Sequence, residues 1–310
     1  MNGFDLSTAT DIRLGSSTIT ALYYGSNKLW PLTHDYSQDY LTFEAIEAGL
    51  FTWTDTQNSN SIYYSTDNGS TWYALASGVH LLVYANDKVM FKASGLTVSN
   101  NGIGTFSSSG QFNVMGNIMS LQDGDNYLNS TAITAPNTFT SLFYNCTGLI
   151  NAQNLAIPDV TLAGGDFAGM FYYCSSLITA PELPATSLAQ ECYKYMFANC
   201  SSLTTTPELP ATTLAQGCYH GMFLGCSSLT TAPELPALIL MSNCYNNMFW
   251  GCLSLDNIAC LATDISATDC TYNWVKGVAN IGTFTKNSAN NSWTTGASGI
   301  PTGWTVVDAS

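Results

Sequence analysis

The stretch MFANCSSLTTTPELPATTLAQGCYHG, Met196 to Gly221, is followed at once by MFLGCSSLTTAPELPALILMSNCYNN, Met222 to Asn247. The cysteines of the chain repeat the spacing of these two copies. One series has steps of 28, 26, 26 and 26 residues, and a second keeps steps of 26; the members are Cys146, Cys174, Cys200, Cys226 and Cys252, then Cys192, Cys218, Cys244 and Cys270. A fixed period over four or five copies indicates repeats that stack on one another.

Each copy holds two kinds of segment. In CYHGMFLGC, residues 218–226, apolar side chains recur at intervals of four, five and eight residues, which predicts one face of a short helix. In SLTTAPELPA, residues 228–237, two prolines allow only a short extended piece. One helix-like and one strand-like element per period is typical of a leucine-rich-repeat solenoid. We expect about five such copies over residues 126–275 and a cap at 276–310.

The region before the repeats has the pattern of β-structure. Residues 1–33 hold short strand-like runs around Gly-Ser turns, and we expect a small β-hairpin module there. Residues 34–125 hold eight β-branched or aromatic runs separated by turn signals: YLTFEAI, LFTWTD, SIYYST, STWYAL, HLLVYA, KVMFKA, GTFSS and FNVMGNIMSL. They predict an immunoglobulin-like β-sandwich, so the expected fold class is mainly β with short helices.

Charge limits the partners of the chain. Seven Lys and Arg against 21 Asp and Glu give a formal net charge of −14 over 310 residues, so the surface repels nucleic-acid phosphates and anionic lipid. No segment is apolar over the thickness of a bilayer, and residues 1–15 have neither the basic start nor the apolar run of a signal peptide. We therefore expect no nucleic-acid partner, no membrane insertion and no obvious export signal.

Catalytic and metal sites are not indicated. The histidines are His34, His80 and His220, and no H-E-x-x-H, C-x-x-C or G-x-S-x-G spacing accompanies them. Cys218 and His220 could form a nucleophile–base pair, but neighbouring copies replace His220 by lysine or asparagine, which favours a variable surface site. We therefore predict no enzyme, no cofactor and no metal.

STDNGSTW, Ser65 to Trp72, matches the Asp-box hairpin known from sialidases. One interpretation is a turn in which the Asp67 carboxylate binds backbone amides and Trp72 packs beneath; the other is part of a sialidase site. Sialidase action needs clustered arginines for the substrate carboxylate, and this chain has a single arginine, Arg13. The turn is the favoured interpretation.

The repeated cysteines and glutamates each have a structural and a functional interpretation. Cysteines eight residues apart on a helix lie ~12 Å from each other, too far for a disulfide, so we expect small buried thiols. Bridges between stacked copies are the alternative. Glu182, Glu208 and Glu234 recur at one position, where we expect solvated carboxylates, with weak calcium binding as the alternative.

Recognition is expected where the copies differ from one another. After each Cys-Tyr pair, and again two residues before each cysteine of the first series, the side chain changes while the other positions stay nearly constant. These variable positions form the candidate binding surface: Lys194, Tyr195, His220, Gly221, Asn246, Asn247, Tyr172, Leu224 and Trp250.

A second candidate surface is apolar. Leu238, Ile239 and Met241 stand where the preceding copy has two threonines and an alanine. Such a cluster indicates either a partner or a covering cap, and the C-terminal segment is a candidate for the cap. We therefore treat these three residues as a candidate apolar interface.

Several motifs carry a resemblance to a known family. The repeated CSSLTTAPELPA (226–237), the preceding GIGTFSSSGQFNVMGNIMSL (102–121) and the closing GIPTGWTV (299–306) together resemble the BspA-type leucine-rich-repeat surface proteins of Bacteroides-related gut bacteria. Similar chains occur among structural proteins of the phages that infect those bacteria, including crAss-like phages. RLGSSTITALYYGSNKLWP (13–31) resembles an N-terminal module of such virion proteins.

The resemblance implies adhesion or host recognition. The first expectation is a non-enzymatic phage virion protein, a fibre, tail or head-decoration component. It would dock to other virion proteins through its N-terminal region and meet a host-surface glycan or protein through the repeats. Its localisation would be the virion and its homo-oligomer a trimer. The alternative is a bacterial cell-surface or secreted adhesin built of the same modules.

Overall fold

The computed structural model describes residues 34–55, 62–290 and 292–309, together with the backbone of four short strands before residue 31. Two compact units divide after Tyr36, whereas the sequence places the first boundary at residue 33. Apart from those strands, the predicted virion-docking module at residues 1–33 lies outside the described residues. In it β1 pairs antiparallel with β2, and β3 with β4; the strands are Arg13–Leu14, Ser17–Thr18, Leu22–Tyr24 and Asn27–Trp30.

The second unit, Ser37–Ser310, is mainly β, as the sequence predicts. Each of the eight runs expected before residue 125 overlaps one of the strands β5 to β12. In chain order the elements are β5 (Leu41–Ala45), β6 (Gly49–Thr54), β7 (Ile62–Ser65), β8 (Tyr73–Leu75), β9 (His80–Val83), β10 (Lys88–Lys92), β11 (Thr105–Ser108), β12 (Phe112–Asn117), α1 (Ser120–Asp123), β13 (Leu149–Ala156), β14 (Asn257–Cys260), β15 (Thr283–Lys286) and β16 (Thr305–Asp308), with 3₁₀ turns at Tyr36–Gln38 and Gly124–Asn129.

Strands β5 to β13 form two facing sheets. The larger has the order β13-β12-β5-β10-β7-β8, and the smaller has the order β11-β6-β9. The Phe43 ring of the larger sheet lies 5.4 Å from Phe51 and 4.8 Å from Phe106 of the smaller one, between ring centroids, so the sheets pack on an aromatic core. Strand β13 lies in the first copy, which begins near Phe143, and it pairs parallel with β12. The repeats therefore continue the larger sheet.

Backbone hydrogen bonds join each copy to the next. In the segment 217–226, the N–H groups of odd-numbered residues donate to carbonyls 25 residues later, for example Gly221 to Asn246 at 2.8 Å. The N–H groups of even-numbered residues donate to the carbonyl three residues earlier, for example Met222 to Tyr219 at 3.1 Å. Every N–H of this segment thus has a partner, half of them in the next copy.

The prediction of a short helix at residues 218–226 is wrong. The segment is a chain of overlapping β-turns, in which Gly217, Gly221 and Gly225 have φ of 61°, 60° and 73°. This left-handed backbone ends any α-helix and suits the third position of a type II turn. Because the turns repeat every four residues, Cys218 and Met222 share one face, much as they would on a helix of about 3.6 residues per turn. The apolar pattern therefore fits both structures.

The core of the stack consists of side chains that recur in every copy. Two columns of nearly parallel rings run through it, with neighbouring centroids 5.4–6.2 Å apart. Both columns end on Trp274, whose indole N–H donates to Gly299 O at 2.8 Å, so C-terminal residues close the last copy. The core residues expected for one copy are all fully buried: Met222, Phe223, Cys226, Leu229 and Leu235.

All ten cysteines are free and buried, which confirms the expectation of small buried thiols. The thiols also form hydrogen bonds. Cys226 Sγ donates to Phe197 O in the preceding copy at 3.1 Å, and that carbonyl also accepts the Cys200 N–H. Cys174, Cys200 and Cys252 form the same contact at 3.0–3.1 Å. The repeated cysteine therefore supplies the second donor to a buried carbonyl.

Replacing one of these cysteines tests that contact. We expect Cys226→Ala to lower the free energy of unfolding by roughly 1–2 kcal/mol, because it leaves a cavity and removes a donor from Phe197 O. The exposed Ser228→Ala in the same copy is the control and should change stability little. Chemical denaturation measures both, and equal stability of the two variants would contradict the role of the thiol.

One buried carboxyl group interrupts the pattern. Asp166 stands where the next three copies have Cys192, Cys218 and Cys244. Its Oδ2 accepts the Ala163 N–H at 2.6 Å. Burial nevertheless raises the pKa of Asp166 to about 6, because removing a carboxylate from water outweighs that hydrogen bond. The first copy therefore carries a carboxyl group that its surroundings favour in the neutral form.

Acid should stabilise the chain at this position. The folded pKa lies above the unfolded value of about 3.9, so between the two values the folded state binds more protons and stability rises as pH falls. We expect the stability of the unmodified chain relative to Asp166→Asn to increase from about pH 7 to about pH 4.5. The exposed Asp256→Asn is the control. Chemical denaturation at each pH measures the stability of both proteins. A stability difference between the unmodified chain and Asp166→Asn that stays constant over this pH range would exclude the effect.

Candidate functional site

The stretch equivalent to residues 217–226 in each copy is called its turn segment. The predicted binding residues lie on the outer face of the turn segments. In each group of four residues two face the core, and the other two form the outer face. The positions that vary between copies are these outer ones, so the structure places all nine residues of the candidate surface there. Trp250 is exposed, and Lys194, Tyr195, His220, Asn247, Tyr172 and Leu224 are half-buried. Asn246 and Gly221 are buried, so neither offers a side chain to a partner.

Five contacting rings form an aromatic strip across three copies: Tyr144, Tyr172, Tyr173, Tyr195 and His220. The Tyr172 ring stacks on Tyr173 and on Tyr195, with centroids 4.4 and 6.0 Å apart, and meets the Tyr144 edge at 5.7 Å. Tyr195 Oη lies 2.9 Å from His220 Nε2. The structure therefore brings together three of the predicted residues and adds two tyrosines to them.

Two rings of the aromatic strip stand on left-handed backbone. Tyr173 and Tyr195 have φ of 62° and 55°, where the next copies along have Asn199 and Gly221. A bulky residue in this region costs roughly 1–2 kcal/mol, and such costs concentrate at functional sites. The equivalent positions that hold glycine or asparagine show that the turns do not need tyrosine. The rings are therefore present despite the backbone cost, which points to a use outside folding.

Charges on the aromatic strip are balanced. Lys194 Nζ binds Glu191 Oε2 at 3.0 Å on the surface beside Tyr195. Burial lowers the pKa of His220, and the nearby Lys194 ammonium lowers it further, so the imidazole is neutral at pH 7. Burial raises the pKa of Tyr172 to about 12, so its hydroxyl stays protonated. The aromatic strip therefore presents neutral rings and hydroxyl groups to a partner.

Gly221 acts by making room for a ring. A Cβ at this position would lie 2.2 Å from Tyr195 Cε1, far inside van der Waals contact. The Tyr195 ring covers the glycine, which explains why Gly221 is buried although it lies on the outer face. Gly221 therefore contributes to the candidate surface by leaving space for the Tyr195 ring, not by contacting a partner itself.

Trp250 forms a small cleft beyond the aromatic strip. Trp250, Leu224, Gly225 and Gly251 line a space of about 230 Å³. Lys276 Nζ lies 4.6 Å from the centroid of the Trp250 ring, a cation–π contact that holds the lysine over the indole. Leu224 and Trp250 thus meet in one cleft, as neighbouring copies at one outer position should.

The apolar interface candidates lie in the extended part of the fourth copy. Leu238, Ile239 and Met241 are 49%, 61% and 43% exposed, and they line a groove of about 580 Å³ with Thr212 and Thr213 of the preceding copy. The backbone of the following segment pairs with this stretch, since Ile239 bridges Asp264. The side chains themselves stay open to solvent. Among the described residues, the C-terminal segment therefore does not cover these side chains.

The Cys218–His220 pair and the repeated glutamates are the two other features for which the sequence offered a functional interpretation. Cys218 is fully buried and burial raises its pKa, while His220 contacts Tyr195, so the pair lacks the geometry of a nucleophile and its base. The repeated glutamates are exposed, and within residues 34–55, 62–290 and 292–309 no three His, Cys, Asp or Glu side chains are grouped to hold a metal ion. No helix in the described part of the chain is long and apolar enough to cross a membrane.

The sequence contained a signal for the residues it missed. Tyr173 stands directly before a cysteine, where other copies have asparagine or glycine, and an aromatic residue at a turn position is unusual. Comparison of that second outer position among the copies would have added Tyr173 to the candidate surface. Comparisons of the whole chain with known protein families, with curated proteins and with solved structures find no match.

A single methyl group at Gly221 should disturb the aromatic strip. Gly221→Ala combines left-handed strain with a clash against the Tyr195 ring, so we expect a loss of stability well above 1 kcal/mol. Gly95 has a similar φ of 65° with no atom within 4 Å of an added Cβ, and Gly95→Ala therefore reports the strain alone.

Introducing Tyr195→Gly into Gly221→Ala should remove the extra loss, because the clashing ring is then absent. Chemical denaturation of Gly221→Ala, Tyr195→Gly and the double variant measures this coupling, and Gly95→Ala gives the cost of the strain alone. Equal costs for Gly221→Ala and Gly95→Ala would show that the ring does not depend on Gly221.

Proposed function

We propose that this chain is a non-enzymatic recognition protein of a phage particle and that its aromatic strip binds the host cell surface. The observation that carries the proposal is the placement of Tyr173 and Tyr195 on left-handed backbone, where other copies use glycine or asparagine. Folding alone favours the smaller residues at these positions. Tyrosine rings on an outer face supply contact area at a low cost in conformational entropy, which suits binding.

The platform beneath the rings supports the same proposal. Tyr195 N–H donates to His220 O at 2.8 Å, so the backbone that carries each ring is bonded to the next copy. A rigid platform loses little freedom when a partner binds. The balanced charge of the aromatic strip favours a neutral target over a strongly charged one. A host-surface glycan and a host-surface protein both fit that description.

We further propose that the stack is a leucine-rich-repeat solenoid of the BspA type and that the two facing sheets are an immunoglobulin-like sandwich. The 26-residue period, the buried Leu203, Leu229 and Leu255 at one position, and parallel bridges such as Thr179–Thr205 support the first assignment. Two sheets with an aromatic core support the second. In this proposal the N-terminal region docks to other virion proteins.

The proposed particle component is a homo-oligomer, with a trimer as the expected state. Leu238, Ile239 and Met241 support an interface because they form an exposed apolar groove. Light scattering of the purified chain would measure the state. A monomer at all concentrations would remove this part of the proposal.

Replacing either tyrosine on left-handed backbone should weaken binding while it leaves folding stability nearly unchanged. We expect Tyr173→Gly and Tyr195→Gly each to reduce binding to host cells at least tenfold. Folding stability should change by less than roughly 1 kcal/mol, because relief of backbone strain offsets the lost ring contacts. Tyr84→Ala removes an exposed tyrosine elsewhere and is the control. Flow cytometry of the labelled chain on Bacteroides-related strains measures binding, and unchanged binding of both glycine variants would contradict the role of the aromatic strip.

The location of the chain requires a separate measurement. A virion component should copurify with phage particles through a density gradient. The alternative, a bacterial cell-surface or secreted adhesin, should remain with cells or medium instead. This result is independent of the tyrosine variants, so the binding surface and the location can each fail alone.

A further inference from the structure

A second cleft lies in the part of the chain before the repeats. It has a volume of about 480 Å³, within the range of roughly 300–1,000 Å³ that is common for small-ligand sites. We call it the Trp72 cleft, and the side chains that define it are Tyr63, Trp72, Lys92, Asp123, Asp125 and Asn126. They come from β7, the turn after β7, β10, the end of α1 and the 3₁₀ turn after α1. The cleft shares none of its residues with the aromatic strip.

The aromatic wall of the Trp72 cleft is fixed by the turn at residues 65–72. Asp67 Oδ1 accepts the Thr71 N–H at 2.8 Å and the Ser65 hydroxyl at 2.7 Å, which confirms the structural interpretation of the Asp-box sequence. Trp72 follows directly and is held edge-on against Tyr40, with centroids 4.9 Å apart. The half-buried indole is therefore positioned before any ligand arrives.

The polar wall is fixed by an ion pair. Lys92 Nζ lies 2.6 Å from Asp125 Oδ1 and 4.2 Å from the centroid of the Trp72 ring. The Tyr40 hydroxyl donates to the same carboxylate oxygen at 2.7 Å. The lysine side chain is 15% exposed and the aspartate 70% exposed, so the pair presents the carboxylate to solvent. Both donors bind Oδ1, which leaves Oδ2 as an acceptor for a ligand.

Charge narrows the class of ligand. The side chains of Asp123 and Asp125 outnumber the ammonium of Lys92, so an anionic ligand meets net negative charge. The Lys92 ammonium lies over the Trp72 indole and repels a cationic ligand there. A neutral ligand with apolar faces and many hydroxyl groups avoids both costs.

We propose that the Trp72 cleft binds a neutral saccharide. A sugar ring presents C–H groups on its faces and hydroxyl groups around its rim. The exposed Tyr63 ring suits a face of the sugar and the Trp72 indole borders the cleft, while Asp125 Oδ2 accepts from the rim hydroxyls and the Asn126 side-chain amide donates to them. The Asn126 Oδ1 already accepts the Asn129 amide at 2.7 Å, which orients the Asn126 amide nitrogen. This site goes beyond the proposed function, because it needs neither a virion location nor the aromatic strip.

Variants of the full chain test the site. A glycan array of neutral and sialylated oligosaccharides identifies the best neutral ligand, and calorimetry then measures its affinity for each variant. Tyr63→Ala removes an exposed ring of the cleft, and Asp125→Asn removes the carboxylate with little change of shape. Tyr73→Ala is the matched control. Tyr73 is exposed and pairs with Tyr64, so it lies on the opposite face of the sheet from Tyr63.

We expect a neutral oligosaccharide to bind the unmodified chain and Tyr73→Ala equally, and to bind Tyr63→Ala and Asp125→Asn at least tenfold more weakly. Saccharide should also shift the indole N–H resonance of Trp72, assigned with Trp72→Phe, while thermal melting confirms that each variant is folded.

Three results would overturn the proposal: no binding of any neutral oligosaccharide, tighter binding of sialylated ones, or binding that both cleft variants retain. Loss of binding only in Tyr173→Gly and Tyr195→Gly would also overturn the Trp72 cleft, yet it would support the aromatic strip. The two proposals can therefore fail separately.

Discussion

Backbone hydrogen bonds between neighbouring copies are the constraint on which the stack depends. From Gly165 to Gly251 the turn segments donate every second N–H to the segment 25 residues later, so these copies must keep one length between turn segments. The first interval shows how strict this pairing is. There the offset is 27 residues, as in Phe143 N–H to Met170 O, and it stays 27 along the whole segment. The two extra residues lie between turn segments, where β13 pairs with the larger sheet.

The same hydrogen bonds divide the side chains into two groups. Residues that face inward meet their equivalents in the next copy, so a change in one copy disturbs two contacts and the core repeats with little variation. Outward residues meet mainly solvent and can differ. Tyr195 is the informative case, since its ring is accommodated only because the next copy has Gly221 beneath it. A variable outer residue can thus depend on a second outer residue in the neighbouring copy.

Prediction from the sequence succeeded where a pattern has one structural solution. Strands β5 to β12 were found because alternating runs between turn signals have few other outcomes, and the buried thiols were found because their spacing excludes pairing within a copy. The helix at 218–226 was wrong because periods of about 3.6 and four residues look alike over so short a segment. The Trp72 cleft was missed because Trp72, Lys92 and Asp125 are far apart in the chain.

The sequence by itself determined the period, the strand content and the residues that fill each copy, because repetition reports contacts that every copy must make. It also located the outer positions where copies differ. Only the tertiary structure decided that Tyr173 and Tyr195 lie on left-handed backbone in turn segments and not on a helix. This conformation follows from hydrogen bonds to a neighbouring copy. The tertiary structure alone also brought Lys92 over Trp72 and beside Asp125. Contacts between residues distant in the chain leave no periodic trace in one sequence.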